Sequence, residues 1–209
     1  MWKAILILLA ALVVAFLLWR ADRPRDPGPG RVAPEQPVQK LVSDETRPFA
    51  YKGITITPLA AFQITARVLA AEDYFLGREA DLFPVDLALG WGPMSDSKVL
   101  AKLKISQGER YYHWETKGEE FPIPREEIEH NSANMHLIPA TEEVSSRVNT
   151  ARAGDVVTFS GWLVEARAAD GWCRRSSLTR NDTGAGACEL VWVTQFSLAP
   201  PRRAAVAAP

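Results

Sequence analysis

The chain has 209 residues, room for one domain of ordinary size and a short appendage. At 47% hydrophobic and 23% charged it has a globular composition, which excludes a wholly disordered chain. The net charge is −1, and Pro48 to Leu198 carries 15 Lys+Arg against 20 Asp+Glu, so nothing provides the basic excess that tracks a phosphate backbone and no nucleic-acid partner is expected.

Ala4 to Trp19 is a run of sixteen residues without charge, flanked by Lys3 and Arg20. As a helix it covers roughly 24 Å of bilayer, with Trp2 and Trp19 where interfacial indoles lie. No small-x-small pair follows the run, and no cysteine offers a lipid acceptor. Residues 1–19 are therefore expected to be an uncleaved, single-pass transmembrane anchor. Residues 20–47 hold Pro24, Pro27, Pro29, Pro34 and Pro37 among charges, with no apolar period, and read as a disordered Pro/Arg-rich linker.

Residues 48–198 read as one β-rich globular domain. Lys52–Pro58 and Phe62–Val68 alternate apolar and polar residues as strands do, and Val85–Trp91 is a third strand stopped by Gly92-Pro93. Ser95 or Asp96 caps a short helix reaching about Leu103. Arg110–Thr116 is an aromatic-rich strand, and Pro124–Glu129 forms one or two helical turns. Thr141 caps a helix to about Ala151 with Val144 and Val148 inward. Val156–Ala166 is the strongest strand, apolar on both faces: Val157, Phe159 and Leu163 on one, Val156, Trp162 and Val164 on the other, with a bend at Gly161. Trp172–Ser177 and Cys188–Phe196 follow around a glycine-rich loop, and residues 199–209 are expected to be a disordered tail.

No βαβ rhythm is present, so the expected class is α+β, mostly β, with a small mixed or barrel-like sheet and short helices behind one N-terminal transmembrane helix. The last third resembles a three-strand antiparallel unit. At fold level its Gly154-Asp155 lead-in and long bent strand are similar to the five-strand barrels used for oligomer binding. Gly90–Asp96, Ser132–Ala140 and Asp182–Glu189 resemble stretches of a family of bacterial proteins with an N-terminal membrane segment and no known activity. That resemblance implies a single exported body and no chemistry.

Two signals oppose each other on the side of the membrane. Arg20, Arg23 and Arg25 follow the span while Lys3 precedes it, which favours a cytoplasmic body. Cys173 and Cys188 flank a polar loop, as a disulfide in an oxidising compartment would. Given greater weight, the cysteines place the body in the periplasm, tethered to the inner membrane.

The candidate chemistry is sparse. Asp182-Thr183-Gly184 matches the aspartic-protease triplet, but its lead-in is polar and the same residues make a tight turn. His130 and His136 are weak metal-ligand candidates, with His113, Asp96 or Asp86 as a third group; the plainer reading is a surface His130 and a His136 satisfied within the sheet. Ser176 and Ser177 lack a nucleophile elbow. Trp91, Trp114, Trp162, Trp172 and Trp192 either pack the core or line a ligand groove with Arg174, Arg175 and Arg180. The resulting expectation is a non-catalytic binding or assembly module without cofactor, whose partners are the membrane and another envelope protein or a glycan. Its contact loops carry Trp91, Asp96, His130, Asn134, Arg174, Arg175, Arg180 and Asp182. The alternative is a periplasmic hydrolase, metal-dependent or not, built on Asp96, His130, His136 and Asp182.

Overall fold

The computed structural model describes Trp2 and residues 24–43, 46–179, 182 and 187–199. Apart from Trp2, the expected anchor lies outside the described residues, as do Arg180 and the tail from Pro200. Among the described residues no helix is long and apolar enough to cross a membrane.

The elements are β1 (Val38–Leu41), β2 (Phe49–Tyr51), β3 (Ile54–Asp73), α1 (Gly77–Leu82), β4 (Val85–Gly90), a 3-10 turn (Gly92–Ser95), α2 (Ser97–Leu100), β5 (Leu103–Gly108), β6 (Tyr111–Thr116), α3 (Arg125–His130), β7 (Ser132–Pro139), α4 (Glu142–Val148), β8 (Val156–Arg167), β9 (Cys173–Arg175) and β10 (Glu189–Leu198). The architecture is α+β and mostly β, with four short helices and a mixed sheet among the described residues.

One strand organises the rest. β3 runs for 20 residues, joining into one element the two strands expected on either side of Pro58. A register shift against β8 between Pro58 and Ala60 explains why the sequence looks like two strands. The extra residue of a bulge exchanges the faces of everything beyond it. Ile54 and Ile56 therefore pack on one side of the sheet, and Ala60, Phe62, Ile64, Ala66 and Val68 on the other.

β3 pairs antiparallel with β4, β4 antiparallel with β7, β7 parallel with β10, and β10 antiparallel with β8. β8 pairs antiparallel with β3 along the lower part of that strand, which closes a ring of five. Phe62, Ile64, Leu87, Leu89, Met135, Leu137, Phe159, Leu163, Val191 and Val193 fill its interior. Val144 and Val148 of α4 join the same cluster, and the Thr141 hydroxyl accepts the Val144 N–H at 3.2 Å as the expected cap. At Gly161 a Cβ would lie 1.8 Å from the Trp192 carbonyl oxygen, so the absence of a side chain is what lets β10 close on β8.

Outside the ring, Ile54, Ile56, Leu82, Phe83, Ile138, Val164, Leu190 and Trp192 form a second cluster. β2 covers it, with Phe49 and Tyr51 edge-on to Trp192 at 4.9 and 4.7 Å. The stretch between β4 and β7 is an insertion with its own small core of Met94, Leu103 and Ile128.

The expected disordered linker is corrected in its described part. Residues 24–43 are laid on the body: Val32 and Ala33 are buried, the Gly92 N–H donates to the Ala33 carbonyl at 2.8 Å, and β1 pairs with β3. The Arg25 guanidinium donates to both carboxylate oxygens of Asp155 at 2.9 Å. Prolines keep this segment out of helices, but they do not stop extended chain from adding an edge strand or burying two small apolar side chains.

The expected disulfide is also corrected: Cys173 and Cys188 are free thiols. Cys173 pairs across β9 and β8 with Arg167, whereas Cys188 faces Asn134 and the Arg110 carbonyl. Hydrogen bonds hold the two ends of the loop instead, from Ser177 N–H to the Cys188 carbonyl at 3.1 Å and from Leu190 N–H to the Ser176 hydroxyl at 3.1 Å.

Candidate functional site

The insertion between β4 and β7 projects a hairpin, β5–β6, with a two-residue turn at Glu109-Arg110. Both turn residues are left-handed, φ +52° and +70°, as a tight hairpin turn of this hand requires. Neither is glycine, asparagine or aspartate, and this is why the sequence hid β5.

Between this hairpin, the start of β7 and the chain entering β10 lies a cleft of about 690 Å³. Tyr111, Tyr112, Trp114 and Phe121 give it an aromatic wall, and Arg125, Glu129, Asn134 and Asp182 supply polar groups. Trp114 and Phe121 meet edge to face at 6.1 Å, and the Arg125 guanidinium lies 5.9 Å from the Trp114 ring. The Tyr112 hydroxyl donates to the Ser132 hydroxyl at 3.3 Å; burial pushes its pKa up to about 12, so it stays a neutral donor and acceptor.

Behind the cleft the hairpin turn is latched to the outer face of β4 and β7. Arg110 Nη1 donates to Asp86 Oδ1 at 2.9 Å and to the Phe83 carbonyl at 3.0 Å. Its guanidinium lies on the Tyr74 ring at 3.5 Å, and its N–H donates to the Tyr74 hydroxyl at 2.9 Å. Its carbonyl accepts from Asn134 Nδ2 at 3.0 Å, and Asn134 Oδ1 accepts from Gln107 Nε2 at 2.6 Å, so that amide is held at both ends.

Asp86 has no exposure at all, and His136 Nδ1 lies 2.9 Å from its Oδ1. Asp86 Oδ2 and His136 Nδ1 are both buried without a hydrogen-bond partner, so the 2.9 Å approach of Oδ1 to Nδ1 is an ionic contact, and Arg110 supplies the hydrogen bond to Asp86. Burial opposes a charged His136, but its closeness to Asp86 and Cys188 outweighs that and carries the imidazole up to about 9. Glu79 of α1 bridges Arg110 at 3.8 Å and Arg174 at 2.7 Å.

The expected site residues are dispersed. Asn134 and Asp182 do line the cleft, and Asp182 Oδ2 accepts from the Ser177 hydroxyl at 2.6 Å. Trp91 is fully buried in the ring cluster, its indole N–H donating to Gln36 Oε1 at 2.8 Å. Asp96 caps α2, accepting the Lys98 N–H at 2.8 Å. His130 is exposed at the end of α3, while Arg174 and Arg175 are taken up by Glu79 and Glu165. Of Asp96, His130, His136 and Asp182, the last alone borders the cleft, so the four-residue hydrolase centre is not assembled. Among the described residues no group of three or more His, Cys, Asp or Glu is placed to hold a metal ion.

Arg110, Tyr112 and Arg125 carry the site and were missed. Their signal was the aromatic-rich strand itself, which needed β5 as a partner to become a hairpin.

Comparison of the chain with family models, with curated proteins and with solved structures gave no match. The site therefore stands on its own geometry.

Proposed function

We propose that this chain is a membrane-tethered binding module whose hairpin cleft receives a glycan. The observation that carries the reading is the cleft itself, about 690 Å³ lined by four aromatic rings and by Arg125, Glu129, Asn134 and Asp182, with Arg125 paired to Glu129 at 2.8 Å. Flat apolar faces beside directional hydrogen-bonding groups match the alternating faces and hydroxyl edges of a sugar chain.

The strand ring supports it. In chain order the five strands β3, β4, β7, β8 and β10 sit in the ring as first, second, third, fifth, fourth, and the third and fifth run parallel. We read this as a five-stranded Greek-key barrel of the OB kind. Such barrels bind oligonucleotides and oligosaccharides on the second and third strands and on the loops between strands one and two and between four and five. The cleft borders the third strand and the connection from the fourth to the fifth. With 15 Lys+Arg against 20 Asp+Glu in the body, an oligosaccharide is the better match of those two ligand classes.

Anchorage rests on the apolar run Ala4–Trp19. For the side of the membrane we keep the periplasm, on the family resemblance alone now that the cysteines are unpaired, with Arg20, Arg23 and Arg25 counting against it.

The test is a titration of the full chain in detergent with the tetramer of N-acetylglucosamine, read by tryptophan fluorescence. Saturable change that is lost in Trp114→Ala supports the reading. A flat response into the millimolar range, or one untouched by that substitution, removes it. For the side of the membrane, alkaline phosphatase fused after Leu198 should be active; an inactive fusion places the body in the cytoplasm.

A further inference from the structure

The hairpin that walls the cleft has one side unpaired. β6 bonds to β5 alone, as a two-stranded sheet. A two-residue turn closes on a hydrogen-bonded pair, here Gly108 with Tyr111, and bonded pairs then recur at every second position. At the base of the hairpin the Lys117 N–H donates to the Lys102 carbonyl at 2.9 Å, in phase with that alternation. Tyr112 and Trp114 fall between bonded pairs, so their backbone N–H and C=O groups point away from β5. None of these four groups is hydrogen-bonded to another described residue.

The free side opens on the cleft. Tyr111 to Glu115 line it without a gap. Successive side chains of a strand point to opposite faces, so a cleft that meets five in a row runs along the edge of β6 and not across one face. Aromatic wall and backbone edge are therefore one surface. It offers two donors and two acceptors, set about 7 Å apart along the strand among the rings of Tyr111, Tyr112 and Trp114.

Within a sheet, what meets such an edge is another amide. An amide is planar, with donor and acceptor fixed in direction, whereas a hydroxyl must give up a rotor to make the same bond. Acidic substituents meet no free cation of the Lys or Arg kind. Among the described lining residues Arg125 alone is of that kind, and it is paired with Glu129 at 2.8 Å, while Glu115 and Asp182 add two more acids.

We propose that the free edge of β6 selects a sugar chain bearing N-acyl groups, whose amide bonds the backbone of Tyr112 or Trp114 while the sugar face lies on the aromatic wall. The proposal rests on the glycan reading of the cleft and adds the substituent that the cleft selects. The N–H and C=O of a trans amide point opposite ways. The oxygen accepts from an edge N–H, and the amide N–H is left for a carboxylate such as Asp182, which Ser177 anchors on the cleft at 2.6 Å.

The experiment titrates the full chain in detergent with the N-acetylglucosamine tetramer and with cellotetraose, followed by tryptophan fluorescence. Cellotetraose has the same linkage and a hydroxyl in place of each acetamido group. The acetylated tetramer is expected to bind about tenfold more tightly, since its analogue leaves a desolvated backbone donor poorly met. Amide-resolved hydrogen exchange by NMR should show the N–H of Tyr112, of Trp114 or of both slowed by the tetramer. Those of Tyr111 and His113, bonded to β5 already, should be unchanged.

Equal or tighter binding of cellotetraose overturns the proposal and leaves the glycan reading standing. So does selective binding of the acetylated tetramer with both edge N–H groups exchanging as before. If neither sugar binds, the glycan reading falls and the proposal with it. Tetra-alanine is the last arm: if it slows these two N–H groups and neither sugar does, the edge takes an extended peptide and the proposal falls.

Discussion

Asp86 and His136 face each other across the antiparallel β4–β7 pair, Oδ1 to Nδ1 at 2.9 Å, on the outer face of the strand ring and beneath the tip of the β5–β6 hairpin. Both are outward-facing residues kept from water, Asp86 by Arg110 of the hairpin turn and His136 by the Phe83 ring at 5.2 Å. The hairpin is thus an electrostatic lid as well as a cleft wall, and its attachment has measurable consequences.

The first concerns pH. The imidazole of His136, ordinarily near 6.5, is carried up to about 9 in the folded chain, where burial lowers it and Asp86 and Cys188 raise it by more. Between these values the folded state holds a proton that the unfolded state has released. The stabilisation is therefore complete below about pH 6.5 and is lost as pH rises through about 9, amounting to about 3 kcal/mol at most. Urea unfolding at pH 6 and pH 9 should show that fall, and His136→Gln should flatten it.

The second concerns the lid. Arg110→Ala removes the cation that compensates a fully buried Asp86, and is expected to cost about 3 kcal/mol in urea unfolding. Arg174→Ala removes an exposed guanidinium from Glu79 and should cost less than about 1 kcal/mol. Similar costs for the two would mean that the hairpin is not held from Asp86.

A third prediction follows from the segment laid on the body. A chain beginning at Phe49 loses Val32, Ala33 and the Gln36 side-chain oxygen Oε1 that accepts the Trp91 indole N–H. It should be less stable than one beginning at Pro24 and show red-shifted tryptophan emission. Identical melting temperatures for the two truncations would return residues 24–43 to the status of a spacer.

A fourth concerns close packing. Gly161→Ala places a Cβ against the Trp192 carbonyl oxygen, which is backbone and cannot step aside cheaply. A loss of about 1–3 kcal/mol is expected in thermal or urea unfolding. Gly171→Ala is a useful contrast: its φ is +90°, but a Cβ there meets nothing within 4 Å, so backbone strain alone sets a cost of about 1 kcal/mol.

The thiols supply the last. With Cys173 and Cys188 both free, reductant should leave the melting temperature unchanged, and both cysteines should be titratable in the denatured chain without prior reduction. A shift on reduction would restore the disulfide.

Local pattern carried much of the fold. The alternation along β8, with Val157, Phe159 and Leu163 turned one way and Trp162 and Val164 the other, was legible because a strand sets its faces by a period of two. The caps at Asp96 and Thr141 were legible for the same local reason, one side-chain oxygen meeting one free N–H. Asn134 and Asp182 were marked as candidates and do border the cleft.

Long-range contacts settled the remainder. Asp86 and His136 lie far apart along the chain, and register across β4 and β7 alone brings them to one face. The turn at Glu109-Arg110 carries no glycine signal, so β5 became visible only once its partner was paired with it. Prolines disguised residues 24–43 as a spacer because composition records what a segment cannot form by itself, not which surface it is laid against. The ends of the chain could be read for charge and apolarity; the meeting of a guanidinium, an imidazole and a buried carboxylate behind an aromatic cleft could not, since that depends on how five strands close into a ring.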